Sequence, residues 1–155
     1  MFGIICLFLL PERVASHFGA RGEPNDWMES STNFALMFLL STVIFIMFAA
    51  MPRFMKRIPK CLINLPNKEF WLREENLTEF ERRVSNRFYQ YGSVLLVFFL
   101  CLSLLAFFAN YANPIRLRAD LFWILFTLFI AYTVTWVAQF FRALALPHHT
   151  AAPQL

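Results

Sequence analysis

The stretch FALMFLLSTVIFIMFAAM, residues Phe34–Met51, contains 18 residues and no charged side chain. Two later runs share this property: GSVLLVFFLCLSLLAFFA at Gly92–Ala109 and LFWILFTLFIAYTVTWVAQFF at Leu121–Phe141. A helix rises about 1.5 Å per residue, so runs of this length cross a hydrocarbon core of about 30 Å with modest thinning or tilt. The three runs therefore predict an all-α integral membrane protein, a small helical bundle with three full transmembrane helices.

The composition supports a membrane protein over a soluble one. Of the 155 residues, 59% are hydrophobic and 20 are phenylalanine. A soluble domain of this size has one modest core and cannot hide so much apolar surface, whereas lipid tails can cover it.

The basic residues are distributed unevenly, and this predicts the orientation. Nine of the 14 Lys and Arg residues lie between residues 52 and 91: Arg53, Lys56, Arg57, Lys60, Lys68, Arg73, Arg82, Arg83 and Arg87. The positive-inside rule places this 52–91 loop in the cytoplasm, with the 142–155 tail on the same side and the 11–33 loop outside. We interpret the basic loops as topology signals and lipid contacts, and expect no nucleic-acid partner.

The apolar N-terminus, MFGIICLFLL at residues 1–10, is too short to cross a membrane alone, since it gives roughly 15 Å of helix. Two interpretations are open. It is either a half-membrane helix or the end of a full helix whose beginning is missing, and we favour the second. The single transmembrane domain is then expected to cover residues 1–141.

A shorter amphipathic helix is predicted before the second long run. Apolar residues recur at helical spacing from Leu77 to Tyr91, with polar residues on the other side. Thr78 and Glu81 have the spacing of a capping box, which would begin this helix. We expect it to lie at the cytoplasmic interface, to bend or continue into the second membrane helix, and to present three basic residues to lipid: Arg82, Arg83 and Arg87.

The long runs contain no Asp, Glu, Lys, Arg or His. Carriers and pumps place such residues at membrane depth because an ion or proton must be bound there, so a stand-alone transporter is disfavoured. The three cysteines form no CxxC pair, and we expect no catalytic residue, cofactor or metal. A metal site of His17 with the nearby acids Glu12, Glu23 and Asp26 stays an alternative, although the spacing matches no metal motif.

Two stretches resemble a known family. Leu10–Met28, LPERVASHFGARGEPNDWM, resembles the P-x-x-[VI]-x-x-HF-x-x-x-G-x-P-[DN]-x-[WY] loop of a bacterial membrane domain of unknown function that also forms part of SdpI-type immunity proteins. Asn64–Leu72, NLPNKEFWL, is similar to a cytoplasmic loop of its short stand-alone members. The resemblance implies a multi-pass helical bundle in the bacterial inner membrane, with the His-Phe loop outside.

That loop is the candidate site for a partner or ligand. Its glycines permit tight turns, and we expect its side chains to form a compact cap over the outer end of the bundle: His17, Phe18, Arg21, Glu23, Asp26 and Trp27.

Three functions are carried forward. The first is a non-catalytic accessory or interaction subunit of a larger bacterial membrane complex, with lipid and other membrane subunits as partners. The second is an SdpI-like immunity or sensor protein that recognises an extracytoplasmic peptide. The third is a membrane enzyme or carrier that uses His17 and the loop carboxylates.

Overall fold

The structure, a computed structural model, describes residues 10–55 and 57–145. In chain order its elements are β1 (Arg13–Phe18), β2 (Pro24–Glu29), α1 (Ser30–Met55), a short 3-10 turn (Lys60–Leu62), α2 (Lys68–Trp71), α3 (Glu74–Tyr111) and α4 (Ala119–Ala143). Helices α1, α3 and α4 are each long and apolar enough to cross a membrane, which confirms the three predicted apolar helices. The predicted N-terminal segment 1–10, except Leu10, and the tail beyond residue 145 lie outside the described residues.

A β-hairpin occupies most of the 11–33 loop, so the all-α prediction has to be amended by a two-stranded sheet. Strands β1 and β2 pair antiparallel, with Arg13 opposite Glu29 and Val14 opposite Met28. The register shifts between Ala15 and His17, so the ladder is irregular at that point. The strands hold few apolar residues in alternation, and this is why sequence periodicity predicted only a structured loop.

Helix α1 begins directly after β2 and ends at Met55. The uncharged run ends at Met51, before Pro52, but the helix continues through Pro52 to Met55. Proline lacks the N–H that would bond back to the carbonyl of Phe48, and in the last turn of a helix this removes only one hydrogen bond.

Helix α3 is a single helix of 38 residues that includes both the predicted amphipathic segment and the second apolar run. It begins at Glu74, four residues before the predicted capping box at Thr78. Its first turn contains Glu74 and Glu75, whose negative charges stabilise the helix by interacting with the positive end of its dipole. Its position at a membrane interface stays a prediction.

Helix α3 is also the element against which α1 and α4 pack. On the α1 side, the ring of Phe48 lies directly over Gly92, and a Cβ at residue 92 would approach Phe48 Cβ to 2.7 Å. On the α4 side, the rings of Phe98 and Phe129 stack at 4.2 Å between centroids. The ring of Tyr91 lies next to both contacts, because it is close to Phe129 on one side and its centroid is 6.0 Å from that of Phe48 on the other.

The most buried apolar cluster lies at the end of the bundle away from the hairpin. It consists of Trp71, Leu72, Phe80, Val84 and Leu144. It joins α2, the N-terminal part of α3 and the end of α4, so the 57–73 connection is folded onto the helices.

The sides of the long helices are exposed. In the most apolar 18-residue window of each, the buried share is 6% for α1, 11% for α3 and 0% for α4. A soluble monomer does not leave apolar surface of this extent in water. Lipid tails or apolar partner helices must therefore cover these faces.

Replacing Gly92 by Ala tests the close packing of α1 on α3. The added Cβ overlaps Phe48, so we expect the free energy of unfolding in detergent to fall by about 1–3 kcal/mol, the usual cost of overpacking. The double variant Gly92→Ala, Phe48→Ala removes the overlap and is expected to lose less than the sum of its single variants.

Ser103→Ala is the matched control, because Ser103 is exposed and bonds only to Phe99 O of its own helix. If Gly92→Ala unfolds at the same denaturant concentration as Ser103→Ala, the close contact at residue 92 is refuted.

Candidate functional site

Asn110, at the end of α3, fastens the hairpin to the helices. Its side-chain Oδ1 accepts a hydrogen bond of 2.6 Å from the backbone N–H of Ala15, and its Nδ2 donates to the Ala15 carbonyl at 3.1 Å. The amide thus pairs with β1 as a neighbouring strand would. Asn110 and Ala15 are both buried, so these bonds satisfy backbone groups that water does not reach.

The turn of the hairpin is held by the connection between α3 and α4. Gly22 accepts a hydrogen bond of 2.9 Å from the N–H of Leu117. Its φ of +84° is a left-handed conformation, and a Cβ there would also overlap the Leu117 carbonyl, so only glycine fits. Arg116 donates to the Arg21 carbonyl at 3.3 Å, and the Trp123 indole donates to the Ala20 carbonyl at 3.4 Å.

Three of the predicted loop residues form an exposed group on the strands. His17 and Asp26 face each other across the hairpin, with 3.6 Å between His17 Nδ1 and Asp26 Oδ2. Their side chains are 71% and 65% exposed. Trp27 is 42% exposed, and its backbone N–H donates to Asp26 Oδ1 at 2.8 Å. His17, Asp26 and Trp27 are together called the hairpin face below, meaning the exposed surface of the two strands, on which the adjacent residues Asp26 and Trp27 project to opposite sides of β2.

The other predicted loop residues have different surroundings. Phe18 is half-buried at the end of β1, and Arg21 is exposed in the turn. The side chain of Glu23 folds back over Gly19, whose N–H bonds to the Glu23 carbonyl at 2.7 Å. The hairpin is thus a compact hydrogen-bonded cap, but its hydrogen bonds to the bundle use backbone groups and residues outside the predicted set.

Metal binding gains no support from this geometry. In residues 10–55 and 57–145, no group of three or more His, Cys, Asp and Glu side chains is placed to hold a metal ion. The exposed imidazole, carboxylate and indole of the hairpin face are suited to hydrogen bonding and stacking with a partner.

The opposite end of the bundle is closed by side chains that bind the end of α4. The Trp71 indole donates to the Leu144 carbonyl at 2.7 Å, and Asn67 Nδ2 donates to the same oxygen at 3.2 Å. Arg83 donates to the Ala143 carbonyl at 2.9 Å, and its guanidinium lies 5.1 Å from the centre of the Trp71 ring. A helix leaves its last carbonyls without intrahelical partners, so these three side chains cap α4.

The three arginines expected to face lipid have different surroundings. Arg82 and Arg83 both contact Glu79, at 2.8 and 2.7 Å. Hydrogen bonds from Arg82 and then Arg83 lower the pKa of the Glu79 carboxyl to about 2. Arg87 instead donates to Gln139 Oε1 at 2.9 Å. Contact of these arginines with lipid stays a prediction.

Sequence reasoning missed Asn110, Asn67 and Trp71 as contact residues. Asn110 carries a weak signal, because it is the first amide that follows an apolar run. Asn67 and Trp71 lie in the NLPNKEFWL stretch, but nothing in the sequence connects that stretch to Leu144, more than 70 residues later.

The comparisons with known proteins match only the N-terminal part. A family model described as a domain of unknown function, DUF1648, matches residues 1–51, which include the hairpin and most of α1. No curated protein and no solved structure matches the chain. The similarity to a domain of unknown function is thus established for the first third of the chain, and it assigns no activity.

Replacing Asn110 by Ala tests the attachment of the hairpin. The change leaves the buried N–H and C=O of Ala15 without partners, and each such group costs about 1–3 kcal/mol. We expect hydrogen exchange of the Ala15 amide to accelerate by roughly one to two orders of magnitude, while amides in the middle of α4 stay protected.

Asn25→Ala is the control, since Asn25 is an exposed amide on the other strand. Equal protection of the Ala15 amide in the wild type and in Asn110→Ala would show that Asn110 does not hold the hairpin.

Proposed function

We propose that this chain is a non-catalytic integral membrane protein of the bacterial inner membrane, and that it acts as an accessory or interaction subunit of a larger membrane complex. The observation that supports this proposal is that the backbone and the exposed side chains of the hairpin have different contacts. Its backbone is bound to Asn110 and Leu117, whereas the hairpin face is exposed and used by few contacts of the fold. A fixed surface of this kind binds a partner without a large ordering cost.

The apolar helix sides support the same proposal. Exposed aromatic and aliphatic side chains cover α1 and α4, among them Phe38, Phe45, Leu128 and Val134, each more than half exposed. Lipid covers such surfaces, and so do the helices of a larger partner. The hairpin would then set which partner docks, and the helix sides would add contact area.

We further propose that the hairpin lies on the outer side of the membrane. It shares its end of the bundle with four basic residues, Arg13, Arg21, Arg116 and Arg118. The sequence between residues 52 and 91 has nine basic residues, and Arg142 at the end of α4 lies at the same end of the bundle as the described part of this loop. Positive charge is retained on the cytoplasmic side during insertion, so this distribution favours a cytoplasmic 52–91 loop and C-terminus.

Labelling with a membrane-impermeant maleimide tests the orientation. Cys61 is exposed in the 52–91 loop, and in a variant with Cys6→Ser and Cys101→Ser it is the only thiol. We expect Cys61 to react only after sealed spheroplasts are permeabilised. In the matched control, Cys61 is also changed to Ser, and Asn25→Cys places the only thiol on β2. This thiol is expected to react in sealed spheroplasts. Reaction of Cys61 in sealed spheroplasts would show the opposite orientation, with the 52–91 loop outside.

A second candidate function is recognition of an extracytoplasmic peptide, as in SdpI-type immunity proteins. The observation that favours it is the position of the family match, which contains the hairpin and most of α1. The same hairpin face would then bind a secreted peptide in place of a membrane subunit. Use of His17 in an enzyme or carrier stays a prediction from the sequence; in residues 10–55 and 57–145 no group of three or more His, Cys, Asp and Glu side chains is placed to hold a metal ion.

Photo-crosslinking from the hairpin face tests both candidates. A benzoylphenylalanine at Trp27 is expected to give one discrete adduct in membranes of the producing cells, and at Phe54, exposed near the other end of α1, no adduct of that mass. The mass of the adduct separates a membrane subunit from a peptide of a few kilodaltons.

Specificity is checked with charge variants. Asp26→Asn is expected to weaken the Trp27 adduct severalfold, because it removes a charge from the hairpin face, while Glu69→Gln at the far end leaves it unchanged. Absence of any adduct at Trp27, together with migration as a single chain on a native gel, would contradict both candidates.

A further inference from the structure

A groove of about 570 Å³ lies between α3 and α4, toward the end of the bundle opposite the hairpin. One wall is a stripe of α3 and the other a stripe of α4. The lining residues are Tyr132, Trp136 and Gln139 on α4, and Arg87, Gln90 and Val94 on α3, with Tyr89 and Ser93 beside the α3 set. Their spacings of three and four residues place each set on one helix face.

The polarity of the groove changes along its length. Arg87 and Gln139 meet near the helix ends, where Arg87 donates to Gln139 Oε1 at 2.9 Å. Val94 and Tyr132 lie seven residues further into their helices, which is about 10 Å along each axis. The groove therefore has a cation and two amides at the end of the bundle, whereas toward the middle it is lined by Val94, the Tyr132 ring and one small hydroxyl, that of Ser93.

Arg87 has no acidic partner among the residues whose side chains the structure places. Its guanidinium donates to two neutral amides, those of Gln139 and Gln90, the latter at 3.4 Å. Arg82 and Arg83, by contrast, share the Glu79 carboxylate. Arg87 as a residue is partly buried, and a guanidinium that meets only amides keeps its positive charge available to an anion.

The walls of the groove are already fixed by the fold. The Trp136 indole donates to the Arg87 carbonyl at 3.0 Å, and its ring lies 4.8 Å from that of Tyr91. The ring of Tyr132 stacks on Tyr91 at 6.2 Å and 15°. Tryptophan and tyrosine side chains of this kind are enriched at the level of lipid headgroups.

We propose that this groove binds one anionic phospholipid, with its phosphate at Arg87 and with Gln90 and Gln139 within reach of the headgroup. An acyl chain would follow the groove toward Val94 and the exposed helix sides. Basic pockets between membrane helices near the cytoplasmic surface are suited to such headgroups. The proposal depends on the membrane insertion proposed above but on no protein partner.

The order of polarity is what favours a lipid over a small soluble anion. A free phosphate would use only the Arg87 end and would leave the apolar part of the groove empty. A phospholipid matches both parts at once, because its charged group and its acyl chain follow each other in the same order as the two parts of the groove.

The experiment is a lipid titration of the full-length protein in neutral detergent, with bound lipid counted by native mass spectrometry. Phosphatidylglycerol and phosphatidylcholine with identical acyl chains are the probes. We expect phosphatidylglycerol to bind at least about fivefold more tightly, since one basic residue near the membrane contributes about 1 kcal/mol and 1.4 kcal/mol is a factor of ten.

Arg87→Gln is expected to abolish this preference, and Arg82→Gln, which removes an equal charge five residues earlier on α3, is expected to keep it. Circular dichroism and the thermal midpoint of both variants verify that they fold. Inorganic phosphate at millimolar concentration is expected not to displace the lipid.

Equal binding of the two lipids, or equal loss of preference in Arg82→Gln and Arg87→Gln, would overturn the proposal. Displacement by inorganic phosphate would overturn it in favour of a soluble anion. The isolated chain is used, so these outcomes are independent of the partner proposal. Reconstitution into phosphatidylcholine vesicles, followed by flotation, reports separately whether the chain inserts.

Discussion

A helix side that is solvated by lipid tails gains little free energy when it packs against another apolar helix side, because both environments are equally apolar. This constraint explains which contacts hold the middle of the bundle together and which hold its ends. The middle of the bundle depends on shape, with Phe48 seated on Gly92 and Phe98 stacked on Phe129. The ends depend on hydrogen bonds to backbone groups that would otherwise have no partner.

Both ends solve the same backbone problem with side chains from distant parts of the sequence. At one end Asn110 pairs with the free edge of β1. At the other end Trp71, Asn67 and Arg83 bind the last carbonyls of α4. Each contact joins elements that are separated by 60 residues or more, so these few polar groups determine how the helices are held together.

The sequence predicted the parts of the fold that depend on composition. An uncharged run of 18 or more residues has few alternatives to a membrane helix, and all three such runs are helical. Helix bounds were less predictable, since α3 begins in a polar segment without a breaker and α1 continues past Pro52. The hairpin was not predictable from alternation, because β1 is stabilised by Asn110, a residue 95 positions away from Ala15.

The candidate site was predictable to a similar extent. The His-Phe stretch contains His17 and Asp26, which the structure brings face to face, while their use as a binding site stays a prediction. The role of Arg83 was not accessible in this way. Helical periodicity assigns Arg83 to the polar side of α3, but only the tertiary fold brings its guanidinium to Ala143 and Trp71.

The residues of the stretches Leu10–Met28 and Asn64–Leu72 can be divided by what each side chain contacts. Gly22 is required by its backbone conformation, and Asn67 and Trp71 are used to cap α4, so these positions maintain the fold. A chain can keep them for stability alone, whatever its activity. His17 and Asp26 have no such role, since both are exposed and their pairing is local to the hairpin. Function that depends on recognition should therefore be sought in the exposed residues of the motif, because stability does not explain their presence.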